Sequence, residues 1–340
     1  MNTRAARTSE TTADAARPSA PGLGASAPGL GTGRKVLRAA ALAATVPYLA
    51  LKSAWLAGSR IGIPDGSVLL EPGVFFTVAN AVTLVMDATV IVIVLALTRP
   101  WGMRVPAWLL TVPVFIATGL LTPILTGFPG QLLVKALGMG AGEAVKAAQK
   151  PFLDPWVFSV VYSGFTIQGL TLAGLFVPYA RERWGWRWQG VLGDRLPPST
   201  GVVAGATAAA GAAVGAVSLY WAFGGTAGLN AERLALYSAE TGVVSAAHAM
   251  CALLAGAGAL LLARGGARRA WWPLALGWIG SSATLSWGMW MLTASLGSAF
   301  SPDEEPTSMI FLTYAGQIIT GLLAFAVLVR FLGSRRRAAA

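Results

Sequence analysis

Residues 73–104 read GVFFTVANAVTLVMDATVIVIVLALTRPWGMR. Between Gly73 and Thr98 the only charged side chain is Asp87, and Arg99 and Arg104 close the run. A helix needs about 20 mostly apolar residues to cross a hydrocarbon core. The stretch therefore reads as a membrane span with a basic stop, and its buried acid as the first question about function.

Outward from it, seven further stretches have the same character: about 36–58, 105–127, 155–179, 201–224, 241–264, 271–298 and 307–332. Glycine and proline interrupt them, as membrane helices tolerate. Of 340 residues, 55% are hydrophobic and 11% charged, with a mean hydropathy of +0.63. A soluble domain carries about 25% charged residues. The expected fold class is all-α: a multi-pass integral protein of the cell membrane with eight transmembrane helices. One cysteine and one histidine exclude a disulfide framework and any Cys/His metal site of ordinary ligand number, so neither metal nor cofactor is expected.

The net charge of +11 does not point to nucleic acid, because the basic residues sit in short clusters between apolar spans. Nineteen of the 25 Lys/Arg fall in the N-terminal segment, 99–104, 180–200, 265–270 and the C-terminal end, counting boundary residues to the nearer side. Five (Arg60, Lys135, Lys146, Lys150 and Arg233) fall in the alternate loops, and Lys52 stands inside a span. The positive-inside rule then places both termini in the cytoplasm. Residues 1–34, with the near-tandem SAPGLGA and SAPGLGT at 19–32, are too polar to bury a core and are expected as a disordered cytoplasmic tail. They are also too long and polar for the front of a cleaved signal peptide. Residues 334–340 form a basic C-terminal tail. The longest outer loop, 128–154, contains QLLVKALGMGAGEAVKAAQ, which reads as a short surface helix. Its GMGAGE is not a phosphate loop, since no Lys-Ser/Thr follows.

A phrase returns. W-x-x-G-x-x-x-G-[IL] occurs at Trp55, Gly58, Gly62, Ile63 and again at Trp221, Gly224, Gly228, Leu229. Ala79-Asn80 is matched by Ala247-His248, and YSGFTIQGL at 162–170 by YAGQIITGL at 314–322. The order of the matches is kept, so 35–199 and 200–333 are expected to be two parallel four-helix repeats. An even-numbered unit relates its copies by an axis along the membrane normal. The copies differ in their charges: Lys52 aligns with Ser218, Asp87 with Ala255 and Asn80 with His248.

Ionisable residues inside a span are costly and face a bundle interior. Asn80, Thr83 and Asp87 share one helix face, as do Thr241, Ser245 and His248, and Thr313, Gln317 and Thr320. Lys52 lies about 9 Å from the outer end of its span and Asp87 about 21 Å down the next, so a direct ion pair is not expected. The expectation is a polar vestibule at Lys52, Asn80 and His248 with Asp87 below. Trp278, Trp287 and Trp290 would together line an apolar or cation-stabilising pocket, since their faces attract positive charge, and Tyr162 and Gln317 would join the binding groups. Serine and threonine stripes also serve simply as glue between helices.

PYLALKSAWLAGSRIGIPD, LTRPWGMRVPAWLL, ATGLLTP and QGLTLAGLFVPYARERW resemble stretches of actinobacterial polytopic membrane proteins. That set is for the most part uncharacterised, and membrane-bound terpene cyclases of natural-product pathways belong to the same resemblance. It covers most of the first half and is fainter in the second, and it brings no catalytic motif to transfer residue by residue. It implies an isomerase: a non-metal, proton-initiated cyclase of a prenylated lipophilic substrate, with Asp87 as general acid and Thr83 as the local donor to it. No DDxxD motif is present, and Asp303, Glu304 and Glu305 read as a solvated loop. Two alternatives stay open: a proton-coupled transporter of a small or hydrophobic molecule, and a structural membrane partner. Each has the lipid bilayer as its surroundings.

Overall fold

The computed structural model describes residues 31–70, 74–149, 152–297 and 305–338. Most of the expected N-terminal tail, Lys150, Asp303 and Glu304 lie outside the described residues. The chain is a bundle of long helices: α1 (Thr32–Leu56), α2 (Val74–Thr98), α3 (Ala107–Ala136), α5 (Pro155–Trp184), α6 (Pro198–Ala222), α8 (Ala239–Arg264), α9 (Trp271–Gly297) and α10 (Ser308–Ala338). Two short helices, α4 (Glu143–Ala148) and α7 (Ala231–Ala235), lie in the connections. Among the described residues, seven of the helices are long and apolar enough to cross a membrane. The remaining long helix, α9, falls short on composition because tryptophan, serine and glycine interrupt its apolar residues. Valines and leucines stand exposed along several of the spans, Val85 at 65%, Val202 at 72% and Leu312 at 67% among them. That is the pattern of a lipid-facing surface, since lipid tails are as apolar as the side chains they meet.

The helix ends differ from the sequence reading in one region. The 128–154 connection is not a separate surface helix throughout: α3 runs on to Ala136 through Pro129, and only Glu143–Ala148 forms its own turn of helix. There Lys146 bonds Glu143 at 2.8 Å and holds that carboxyl below its ordinary range. Glu240, at the start of α8, pins the connection by accepting from the Ala141 backbone N–H at 3.0 Å and facing Lys135 at 3.6 Å.

At one end of the bundle Arg34 pairs with Glu182 at 3.0 Å, Arg183 donates to the Gly102 carbonyl at 3.2 Å, and Arg335 donates to the Gln189 carbonyl at 3.3 Å. A two-stranded antiparallel sheet sits there as well, β1 (Val191–Gly193) against β2 (Gly266–Arg269). The other connections meet at the opposite end. Ser67 donates to the Phe152 carbonyl at 2.8 Å, the Asp154 N–H to the Gly62 carbonyl at 2.9 Å, and Asn230 to the Glu305 carbonyl at 3.3 Å.

The repeated tryptophan–glycine phrase folds alike at both of its occurrences. α1 and α6 each end in a Schellman motif, closed by Gly58 at φ +87° and Gly224 at φ +87°. Trp55 Nε1 donates to the Ile61 carbonyl at 2.8 Å, and Trp221 Nε1 to the Ala227 carbonyl at 3.0 Å.

The two halves pack differently. In the second, α8 lies close against α6 and α9. A Cβ placed on Gly258 would come within 2.4 Å of the Gly277 backbone nitrogen, and one on Gly280 within 2.2 Å of the Ala255 nitrogen. In the first, α2 packs on α1 but only sparsely on α3 and α5. The resulting gap is the cavity described next.

Candidate functional site

α2 carries Thr83, Met86, Asp87, Val90 and Ile93 on the side that lines the gap beside α3 and α5, with which it makes few contacts. The space between is a cavity of about 430 Å³. α3 supplies an apolar wall (Ile116, Ala117, Leu120, Leu121 and Ile124), α5 supplies Tyr162, Phe165 and Gln168, α9 supplies Trp287 and Trp290, and α1 supplies Tyr48. Asp87 is the only carboxyl among these lining residues.

Asp87 is 5% exposed. Its Oδ1 accepts a hydrogen bond from Gln168 Nε2 at 3.1 Å, while Oδ2 is buried with no partner among the described residues. Gln168, not Thr83, is therefore the donor that steadies the carboxylate. Thr83 donates its hydroxyl to the Ala79 carbonyl at 2.9 Å and lines the cavity with Tyr48. A hydroxyl bonding back one turn along its own helix is the usual resting place of a membrane threonine.

Two stripes face each other above the acid. Tyr48, Lys52 and Trp55 lie at i, i+4, i+7 on α1, opposite Asn80, Thr83 and Asp87 at i, i+3, i+7 on α2. Lys52 Nζ donates to Asn80 Oδ1 at 2.6 Å. It lies 5.1 Å from the ring centres of both Tyr48 and Trp55. Among the described residues the ion pairs are Arg34–Glu182, Lys135–Glu240 and Lys146–Glu143, so Lys52 and Asp87 do not pair directly.

Of the residues singled out in the sequence, Asp87, Tyr162 and Trp287 line the cavity together, and Lys52 and Asn80 form the bonded pair one to two turns above. His248 stands apart from that pair. Its ring and that of Trp287 pack T-shaped with centres 5.4 Å apart, and His248 is not itself among the lining residues. Trp287 is further fixed by its Nε1 bond to the Leu120 carbonyl at 3.0 Å. Trp278 is packed between Phe115 and Phe176 and bonds Thr118 at 3.3 Å, outside the set that lines the cavity. Gln317 lies on α10 against Gly288, with Oε1 buried and without a partner, also away from the cavity wall. Tyr48, Phe165 and Gln168 are the aromatic and amide lining residues not picked out in the sequence, while Trp290 lines the cavity beside Trp287. Two of them had a signal: Tyr48 is one turn from Lys52, and Gln168 stands inside the repeated Y-x-G-x-x-x-x-G-L phrase where the other copy has Thr320.

Among the described residues no cluster of three or more His, Cys, Asp or Glu is placed to hold a metal ion. The arrangement suits a lipophilic molecule: apolar and aromatic walls, one acid with a single fixed donor, and a volume within the range of about 300–1,000 Å³ usual for small-molecule pockets. Compared with protein-family models, with curated proteins and with solved structures, the chain shows no match.

Proposed function

We propose that this membrane protein is a proton-initiated cyclase of a prenylated, lipophilic substrate, working without metal or cofactor. The observation that carries the reading is the single carboxyl of the cavity, Asp87, held by Gln168 among aromatic rings. In the proposed step Asp87 gives its proton to one carbon of a terminal alkene, forming a C–H bond and leaving a cation on the more substituted carbon. A second alkene of the same chain attacks that cation and closes a ring. The final cation loses a neighbouring proton to the Asp87 carboxylate, so the product is an isomer of the substrate. Gln168 stabilises the carboxylate in between, and the faces of Tyr162, Trp287 and Trp290 stabilise the travelling positive charge.

The test is conversion of a prenylated phenol by purified protein in deuterated water. Wild type is expected to yield a cyclic isomer carrying one deuterium, and Asp87→Asn none, with normal membrane insertion. Proton-gradient-driven uptake into vesicles that Asp87→Asn abolishes, without any cyclic product, would favour the carrier instead. A lowered Tm as the only effect would leave Asp87 a packing residue.

The same reading takes the chain as eight spans in two four-helix repeats, with both termini cytoplasmic and the protein in the cell membrane. Three observations support it. β2 and Glu305 lie at opposite ends of the bundle, so α9 between them runs its length, and its 27 residues extend about 40 Å. The segments rich in Lys/Arg gather at one end. The two tryptophan–glycine phrases fold alike.

A further inference from the structure

Lys52 is a cation within α1 whose Nζ has a neutral hydrogen-bond partner, two aromatic neighbours and, among the described residues, no carboxylate in contact. It stands four residues before the end of α1, and Asn80 six residues after the start of α2. Both are thus about 6–9 Å inside their helix ends, at the depth where lipid head groups give way to chains. One turn deeper, Tyr48 and Thr83 already line the cavity. Asp87 follows about 10 Å below Asn80 along α2. A charged group near the head-group level therefore opens directly onto an apolar cavity that ends at an acid.

We infer that Lys52 and Asn80 form a head-group subsite for a single-chain amphiphile bearing a single negative charge, a carboxylate or a phosphodiester, whose one hydrocarbon chain fills the cavity. Lys52 supplies the charge and the Asn80 amide a second donor, as hydrogen bonds to charged groups are the stronger ones. One lysine matches one negative charge. A diphosphate would require further cations or a metal, and the described residues offer no acidic cluster to hold one. The second copy has the small, buried Ser218 where the first has Lys52, so the subsite belongs to the first half alone. The inference rests on the cavity's being a binding site for a lipophilic molecule, and it names the head of that molecule.

The test uses protein in neutral maltoside detergent and three probes of equal chain length: oleate, oleyl alcohol and oleylamine. Binding is read by displacement of a fluorescent fatty alcohol. Wild type is expected to prefer oleate over the alcohol by about tenfold, the effect of one charge-assisted hydrogen bond, and to disfavour the amine. Lys52→Met should abolish that preference while alcohol binding persists. Ala117→Trp, which fills the cavity from α3, should abolish binding of all three. An unchanged oleate preference in Lys52→Met overturns the subsite and leaves the cavity intact as a site. Alcohol binding that survives Ala117→Trp overturns the cavity reading itself. A final arm adds phosphatidylglycerol: no displacement of oleate is expected, and displacement that depends on Lys52 would assign the subsite to a bilayer lipid rather than to a single-chain amphiphile.

Discussion

Gln168 is the residue on which the candidate acid depends. Among the described residues its Nε2 is the one donor to Asp87, since Oδ2 has none. Removing it leaves a buried carboxyl unpartnered, a change that costs about 1–3 kcal/mol. Gln168→Leu should accordingly lower the Tm by several degrees. The double change Asp87→Leu with Gln168→Leu should cost less than the sum of the two single changes, because neighbours in one hydrogen bond couple by about 0.5–3 kcal/mol. Thermal unfolding of the four proteins in detergent closes the cycle, and strict additivity would break the proposed link. Asp87 was legible in the sequence because a carboxyl in an apolar run stands out on its own. Gln168 was not, because a glutamine facing an acid looks the same in sequence as one facing a neighbouring helix. The aromatic choices show the same limit. Tyr162 and Trp287 face the cavity and Trp278 does not, and which side of a helix becomes the wall depends on packing between helices, not on periodicity within one.

At the scale of elements, the two halves fill similar frames in opposite ways. Gly256 and Gly258 of α8, with Ala252, Ala255 and Ala259 around them, let α6 and α9 close in, as small residues do between membrane helices. The matching part of α2 carries Thr83, Met86, Asp87 and Val90, and a cavity remains. Gly258→Val should drive α8 and α9 apart and cost about 1–3 kcal/mol as overpacking, seen as reduced monodisperse yield and a lower Tm. Gly205→Val on α6 is the control: nothing lies within 4 Å of its Cβ position, and its stability should be unchanged. The positions of the helices were legible from apolar length alone. Their ends were less so. α3 passes through Pro129 as it does through Pro113 and Pro123, an interruption that membrane helices tolerate. The β1–β2 pair joins strands of three and four residues more than seventy positions apart, too short and too distant for any local pattern to announce.

For the whole molecule, α9 decides the topology. Among the described long helices it is the one whose apolar stretch falls short of a candidate span, yet it begins at the end of the bundle where the arginines gather: the Ala270 N–H, just before it, donates to the Gly190 carbonyl at 2.9 Å. The chain resumes at Glu305 beside Asn230, at the opposite end. The tryptophans that lower its apolarity are partly turned inward, with Trp278 against Phe115 and Phe176 and Trp287 against His248, so lipid meets less of the polar surface than the composition implies. That is why a count by hydropathy and a count by connectivity differ by one span. They also differ in outcome. With α9 spanning, reporters fused after Gly265 and after Arg337 both face the cytoplasm, and one inserted at 299–303 faces outward. With α9 lying within one side, the 299–303 reporter would face inward and the C-terminal one outward. Paired fusions to green fluorescent protein, which is bright only inside, and alkaline phosphatase, which is active only outside, read each position independently. The expected pattern is fluorescent, phosphatase-active, fluorescent in chain order. A phosphatase-active C-terminus would remove the eighth span, and with it the parallel relation between the two halves.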